Sequence, residues 1–289
     1  MQRTILRSLC LYFWLTLLAV AQAPLLVKAN ADSSSPVVAP ASAGRALTTV
    51  GAHVADYSSV PLVVLTVLPR MAPELALQVC RGRSVIQAEQ LASYSSTTLI
   101  RAQLPDAAQF GEYEVQQSYL APHTLAFKAL RFSGDAFVKT NVIIRLLQSE
   151  VDHVQKDDPA LNAISPANYK FAYKGTSLMD GRMVHVYQLK PRKRRAGLFK
   201  GRIYVDAYTG SMVRAEGRPV KSPSMFIKRI DFVQDYADIG PFTLPVHVHS
   251  EATARIVGRA IVDVFQRDYQ PVAHTMADTA VAAQQIPAL

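Results

Sequence analysis

From Ser96 to Tyr269 the apolar residues recur, for most of the length, at every second position. The segments "STTLIRAQL", "GEYEVQQSYL", "TLAFKALRF" and "YKFAYKG" are rich in β-branched and aromatic residues, and each predicts a strand. "MVHVYQLK", "GRIYVDAY", "SMVRAEGRPV", "FIKRIDFVQDY", "FTLPVHVHSEATARI" and "RAIVDVFQRDY" continue the series. Glycines at 181, 210 and 258 stand where tight turns need positive φ, so the connections read as hairpins. Two segments follow a helical period instead. One runs from Pro73 to about Tyr94, with Leu75, Val79, Ile86 and Leu91 as its apolar positions. The other is Asn141 to Gln155, with Val142, Ile143, Leu146, Leu147, Val151 and Val154 on one face. About ten strands and an inserted helix predict a mainly β, α+β domain over residues 70–270. Its single antiparallel sheet must curl strongly, as an incomplete barrel closed by helices does.

Several strands carry apolar residues on both faces. In Met183 to Leu189, Val184 and Val186 share one side, while Met183, His185, Tyr187 and Leu189 share the other. Such a sheet either wraps a core helix or lines a cavity for an apolar ligand. The cavity reading places Val142, Ile143, Leu146 and Leu147 opposite Tyr204, Val213, Phe226, Phe232 and Phe265.

The ends of the chain differ from this domain. Arg3 and Arg7 precede an apolar stretch from Leu9 to Ala21, which is a secretory signal pattern over residues 1–31. Cleavage after Ala31 or after Ala23 would release it. Uncleaved, Leu9 to Val27 is just long enough to anchor in a membrane. Residues 32–69 read as a flexible leader, containing the apolar stretch 60–68, and 271–289 as a disordered tail. Export is the reading, to a periplasm.

Of the 289 residues 49% are hydrophobic and 18% charged, an ordinary globular balance, with a formal charge of +9. Removing residues 1–31 takes away Arg3, Arg7 and Lys28 and no acid, which leaves +6. Seven basic residues between Lys190 and Arg202 account for all of that excess. The molecule is therefore near neutral apart from one basic loop: Lys190, Arg192, Lys193, Arg194, Arg195 and Lys200. For an exported chain a nucleic-acid role is the poorest of three readings, because the neighbouring aromatics belong to strands rather than to a stacking platform, and no nucleic-acid partner is expected. Two readings remain, a solvated hairpin tip and a contact for an anionic membrane or acidic protein, at about 1 kcal/mol per basic residue near such a membrane. Only Cys80 follows the signal segment, so no internal disulfide forms.

The one metal-like stretch is Pro245 to Glu251, where His247, His249 and Glu251 share a strand face. Thr253 and Arg255 extend that face while Val246, Val248, Ala252 and Ala254 fill the other, so it reads as a solvated outer face. No nucleophile elbow, zincin helix, phosphate loop or paired-cysteine motif occurs, and no enzyme and no cofactor are expected.

"GRIYVDAYTGSMVRAEG" resembles the strand–turn–strand of the outer-membrane lipoprotein carrier superfamily, LolA-like proteins and RseB-like sensors included. "FIKRIDFVQDYADIGPFTLPVHVHS" resembles the segment that follows it, and the likeness is best over residues 169–270. It implies an incomplete barrel whose apolar hollow holds the acyl chain of a lipid or lipoprotein without catalysis. The alternative it implies is a structural or envelope-sensing domain with a filled core and no ligand.

Overall fold

The structure, a computed structural model, describes residues 69–274 apart from 157, 223–226 and 256–257. The signal segment, the leader, the apolar stretch 60–68, Phe226 and residues 275–289 lie outside the described residues. Ten strands form one antiparallel sheet: β1 (Leu91–Leu104), β2 (Gln109–Leu120), β3 (Thr124–Gly134), β4 (Tyr169–Met179), β5 (Arg182–Pro191), β6 (Phe199–Asp206), β7 (Met212–Pro219), β8 (Ile227–Ile239), β9 (Phe242–Ala254) and β10 (Gly258–Ala273). Every segment with a period of two is a strand. Their order is β3-β2-β1-β10-β9-β8-β7-β6-β5-β4. Among the described residues each strand thus pairs with its chain neighbour, except where β10 meets β1 and where β3 and β4 are the edges of the sheet. The sheet is curved and unclosed.

The chain passes from one edge to the other through helical segments. A turn of helix (Ala136–Val138) and a wide π turn (Lys139–Ile143) lead into α2 (Ile144–Lys156), followed by a short turn of helix (Pro159–Asn162). The expected helix from Asn141 is therefore present, with its first turn underwound. The π turn sets the Ile143 side chain in the core, with no exposure.

The first helix, α1 (Pro73–Gln90), stops short of the expected Tyr94. Leu91 already opens β1, and Tyr94 is a buried strand residue. The face it buries also differs from the large apolar positions that marked it. Leu75 and Ile86 are 49% and 50% exposed, and the buried side chains are Ala76 and Cys80. Small residues on that face let the helix lie close to the sheet. Burial pushes the Cys80 thiol up to about 12, so it stays protonated and unreactive at neutral pH. At the other end, β10 continues to Ala273, opposite Leu91, so the first residues of the expected tail are strand.

The interior falls into packed halves. α1 packs on a core drawn from β4 to β8, formed by Tyr169, Tyr187, Leu189, Phe199, Ile203 and Phe232. His185 belongs to this core. Its Nε2 donates to the Met71 carbonyl (3.0 Å), and its Nδ1 accepts from the Tyr173 hydroxyl (3.1 Å). Tyr187 donates to the carbonyl of Pro73 at 2.5 Å, so β5 fixes the start of α1 through two side chains. α2 and the turns before it cover the other half, where Val138, Ile143, Leu146 and Leu147 pack on Ile100, Leu104, Val115 and Val264.

Candidate functional site

On β2 the inward positions are Tyr113, Val115, Gln117 and Tyr119; on α2 they include Ile144, Leu147 and Val151. Between these two surfaces lies an open cleft of about 500 Å³, lined by Tyr113, Val115, Phe127, Ala129, Ile144, Leu147, Gln148, Val151 and Asp152. Its volume is in the range of small-molecule sites. The walls are apolar and aromatic, and Gln148 and Asp152 supply the polar groups. β3 ends the sheet among the described residues, and α2 packs beside it, so the cleft lies at that edge.

One inward position beyond Val115 on β2, the interior of the sheet turns polar. Thr98 on β1 is paired with Gln266 on β10, and Ser96 on β1 with Gln117 on β2. All four side chains point inward and are buried. Gln117 is the hub: its Oε1 accepts from Thr98 Oγ1 (2.9 Å) and Gln266 Nε2 (3.0 Å), and its Nε2 donates to the Tyr94 hydroxyl (2.8 Å). Above this belt are Ile100, Val115 and Val264; below it are Leu91, Tyr119 and Phe242. Glu150 of α2 is buried too and lies near Tyr94 and Tyr269, whose phenols are raised first by burial and further by the neighbouring carboxyl. Burial pushes the Glu150 carboxyl up to about 8, so it is largely protonated at neutral pH. The belt escaped the sequence reading because alternation reports that two faces differ, not that one stretch of the inner face is polar.

The expected cavity residues are not brought together. Ile143, Leu146 and Leu147 lie in the α2 core with Val142 packed against it, and of these Leu147 lines the cleft. Phe232 belongs to the α1 core instead, in edge contact with Phe199. Tyr204 and Val213 cluster with Val184 and Val186 on the other side of the sheet. Phe265 is also turned outward, stacked on His247 with Arg101 over its ring. Inner and outer positions differ by one residue, and a bulge between Tyr204 and Val205 shifts the β6–β7 register, so aromatic character alone chose the wrong face. Phe226 lies outside the described residues.

The basic loop is more than a hairpin tip. Arg192 Nε donates to the Pro166 carbonyl (2.7 Å), Arg194 to that of Val220, and Arg195 to the Leu161 carbonyl and Asn168 Oδ1. Leu198 and Phe199 are buried at its end. Three of its guanidiniums therefore tie neighbouring chain segments together, while Lys190, Lys193 and Lys200 are exposed. Arg195→Ala is expected to lower stability by about 1 kcal/mol through its lost carbonyl bonds, and Lys193→Ala by less than half of that. Urea unfolding of the two variants checks this.

His247, His249 and Glu251 lie on the outer face, as their alternation with Val248 and Ala254 implied. Asp263 meets His247 Nε2 at 3.2 Å and His249 Nδ1 at 2.8 Å, Asp235 meets His247 Nδ1 at 3.4 Å, and Arg259 pairs with Glu251 at 2.8 Å. The three belong to a ladder of hydrogen-bonded polar side chains across β8, β9 and β10. Among the described residues there is no group of three or more His, Cys, Asp or Glu that could hold a metal ion. Among them also no helix is long and apolar enough to cross a membrane.

No family model matches the chain, and no curated protein does. Solved structures resemble it. A DUF1329 family protein from Desulfovibrio piger aligns over 74% of this chain and all of its own, at 12% identity and a TM-score of 0.37. A LolA superfamily protein from Nitrosomonas europaea aligns over 72% of this chain and 96% of its own, at 11% identity and the same TM-score of 0.37. The MucA/MucB complex of Pseudomonas aeruginosa supplies a chain that aligns over 70% of this one and 99% of its own, at 10% identity and a TM-score of 0.23.

Proposed function

We propose that this is a non-catalytic binding protein of the bacterial periplasm that takes an acyl chain, of a lipid or a lipoprotein, into the cleft between α2 and β2–β3. The observation that supports it is the cleft itself: about 500 Å³ beside the β3 edge of the sheet, with aromatic and aliphatic walls. Exposed Lys190, Lys193 and Lys200, at the far end of the strand order, are the proposed contact for an anionic membrane surface or an acidic protein. A second reading, a structural or envelope-sensing domain, draws support from the other half of the sheet, where α1 and the side chains of β4 to β8 leave a packed core.

Native mass spectrometry of the protein secreted into a bacterial periplasm and purified without delipidation tests the first reading. A mass excess that releases as phospholipid or acyl species is expected. Ala129→Trp, which fills the cleft from β3, should abolish it while the melting temperature stays within a few degrees. A bare polypeptide mass that persists after incubation with lipid would overturn acyl binding and favour the sensor reading.

A further inference from the structure

The belt of polar side chains inside the sheet has more hydrogen-bonding capacity than it uses. Ser96 Oγ and Gln266 Oε1 are buried, at 3% and 4% residue exposure, and neither has a hydrogen-bond partner. A buried polar atom left unpaired costs on the order of 1–3 kcal/mol, which a fold rarely tolerates twice in adjacent strands without a use. The two are close neighbours: Ser96 and Thr98 are two residues apart on β1, and Gln266 pairs with Thr98. Gln117, the hub between them, is the next inward residue of β2 after Val115, and Val115 lines the cleft. On the opposite wall, Glu150 directly precedes Val151, another cleft residue. Along β2 and along α2, residues that line the cleft thus adjoin residues of a buried polar cluster.

The chemistry of this cluster selects its guest. Its unused groups are a hydroxyl and an amide oxygen, with a carboxyl beside them. It contains no lysine, arginine or histidine, so a phosphate or carboxylate head would be stripped of water with no cation to receive it. A head that donates hydrogen bonds without bearing charge meets no such cost.

We propose that Ser96, Gln117, Gln266 and Glu150 form a head-group seat for an uncharged, hydroxyl- or amide-bearing amphiphile, of which a monoacylglycerol is the simplest example, its tail lying along Val115, Leu147 and Val151. This rests on the reading of the cleft as an acyl site and adds the class of ligand and its orientation: head inward, tail toward the sheet edge at β3. A head-out carrier would show no preference among heads, because they would all remain in water.

Two probes with one oleoyl chain each separate the possibilities: 1-monooleoylglycerol and oleoyl lysophosphatidic acid, which differ by the phosphate. Titration of the delipidated protein at pH 7 should give about tenfold tighter binding of the monoacylglycerol, the scale of one or two net hydrogen bonds. Ser96→Ala removes an unpartnered hydroxyl, so folding is unharmed or improved, yet it should cut that preference severalfold; Gln266→Met should do the same. Equal binding of both probes to the unaltered protein, or a preference untouched by both variants, overturns the head-group seat and leaves the cleft reading intact. If neither probe binds, the cleft reading fails, and the seat with it.

Discussion

Glu150→Gln is expected to make the protein markedly more stable than its parent in mild alkali and to change little in acid. In the unfolded chain a glutamate is ionised above its ordinary value of 4.5, whereas in the folded protein burial holds the Glu150 proton up to about 8. Between these values folding takes up a proton, so stability falls as pH rises. The contribution of the neutral, buried carboxyl is complete below about pH 4.5 and is lost as pH climbs through about 8. Above that the group is ionised in both states and the slope disappears. At 1.36 kcal/mol per pH unit, the interval from pH 5 to pH 8 corresponds to about 4 kcal/mol. Glutamine has nearly the same shape and does not titrate. Urea unfolding of both proteins at several pH values gives a difference in which every other titrating group cancels. Tyr94 and Tyr269, which face Glu150, are raised well above the ordinary phenol range and stay neutral throughout this window. A difference that rises toward alkaline pH is the expected result; one that is flat with pH would mean that the carboxyl is hydrated in solution.

Such a carboxyl was not legible in the sequence. The α2 pattern marked Ile143, Leu146, Leu147, Val151 and Val154 as one face, and Glu150 falls on it as an apparent exception. An exception on an apolar stripe can lie at the margin of the stripe or in its middle, and only the packing of α2 against the sheet decides between them. Tyr94 was assigned to a helix for a related reason: Pro73 to Tyr94 contains enough apolar residues to fit a period near 3.6. The face that α1 buries, Ala76 and Cys80, carries little hydrophobic weight.

The strands were legible because alternation over ten segments is hard to produce by chance, and the hairpin glycines confirmed their ends. The cavity was not, since alternation assigns residues to two faces without naming the inner one. Phe265 and Val264 show the difficulty: one residue apart, the aromatic stacks outside on His247 while the smaller valine enters the core. Only closure of β10 onto β1, the single pairing between strands remote in the chain, fixes which face of that strand is inside.

The segment from Lys200 to Gly217, which carried the family resemblance, is where a single methyl group is expected to do the most damage. Gly201 on β6 stands opposite Gly217 on β7. A Cβ on Gly201 would collide with the carbonyl oxygen of Glu216, and one on Gly217 with that of Lys200. Both obstacles are backbone, so relief requires the paired strands to separate where they also hold Phe199, Ile203 and Ala215 in the α1 core. Gly201→Ala should therefore cost about 3 kcal/mol, the upper part of the range for overpacked sites. Gly82→Ala provides the contrast. Gly82 lies on the exposed side of α1 with open space around its would-be Cβ, and alanine there should raise stability by roughly 1 kcal/mol through helix propensity. The two substitutions add the same atom, so urea unfolding should separate them by about 4 kcal/mol, with opposite signs. Equal effects would mean that β6 and β7 do not approach as closely in solution as their glycines allow. Loss at Gly201 with gain at Gly82 would show that the close approach of β6 and β7 leaves no room for a side chain at Gly201.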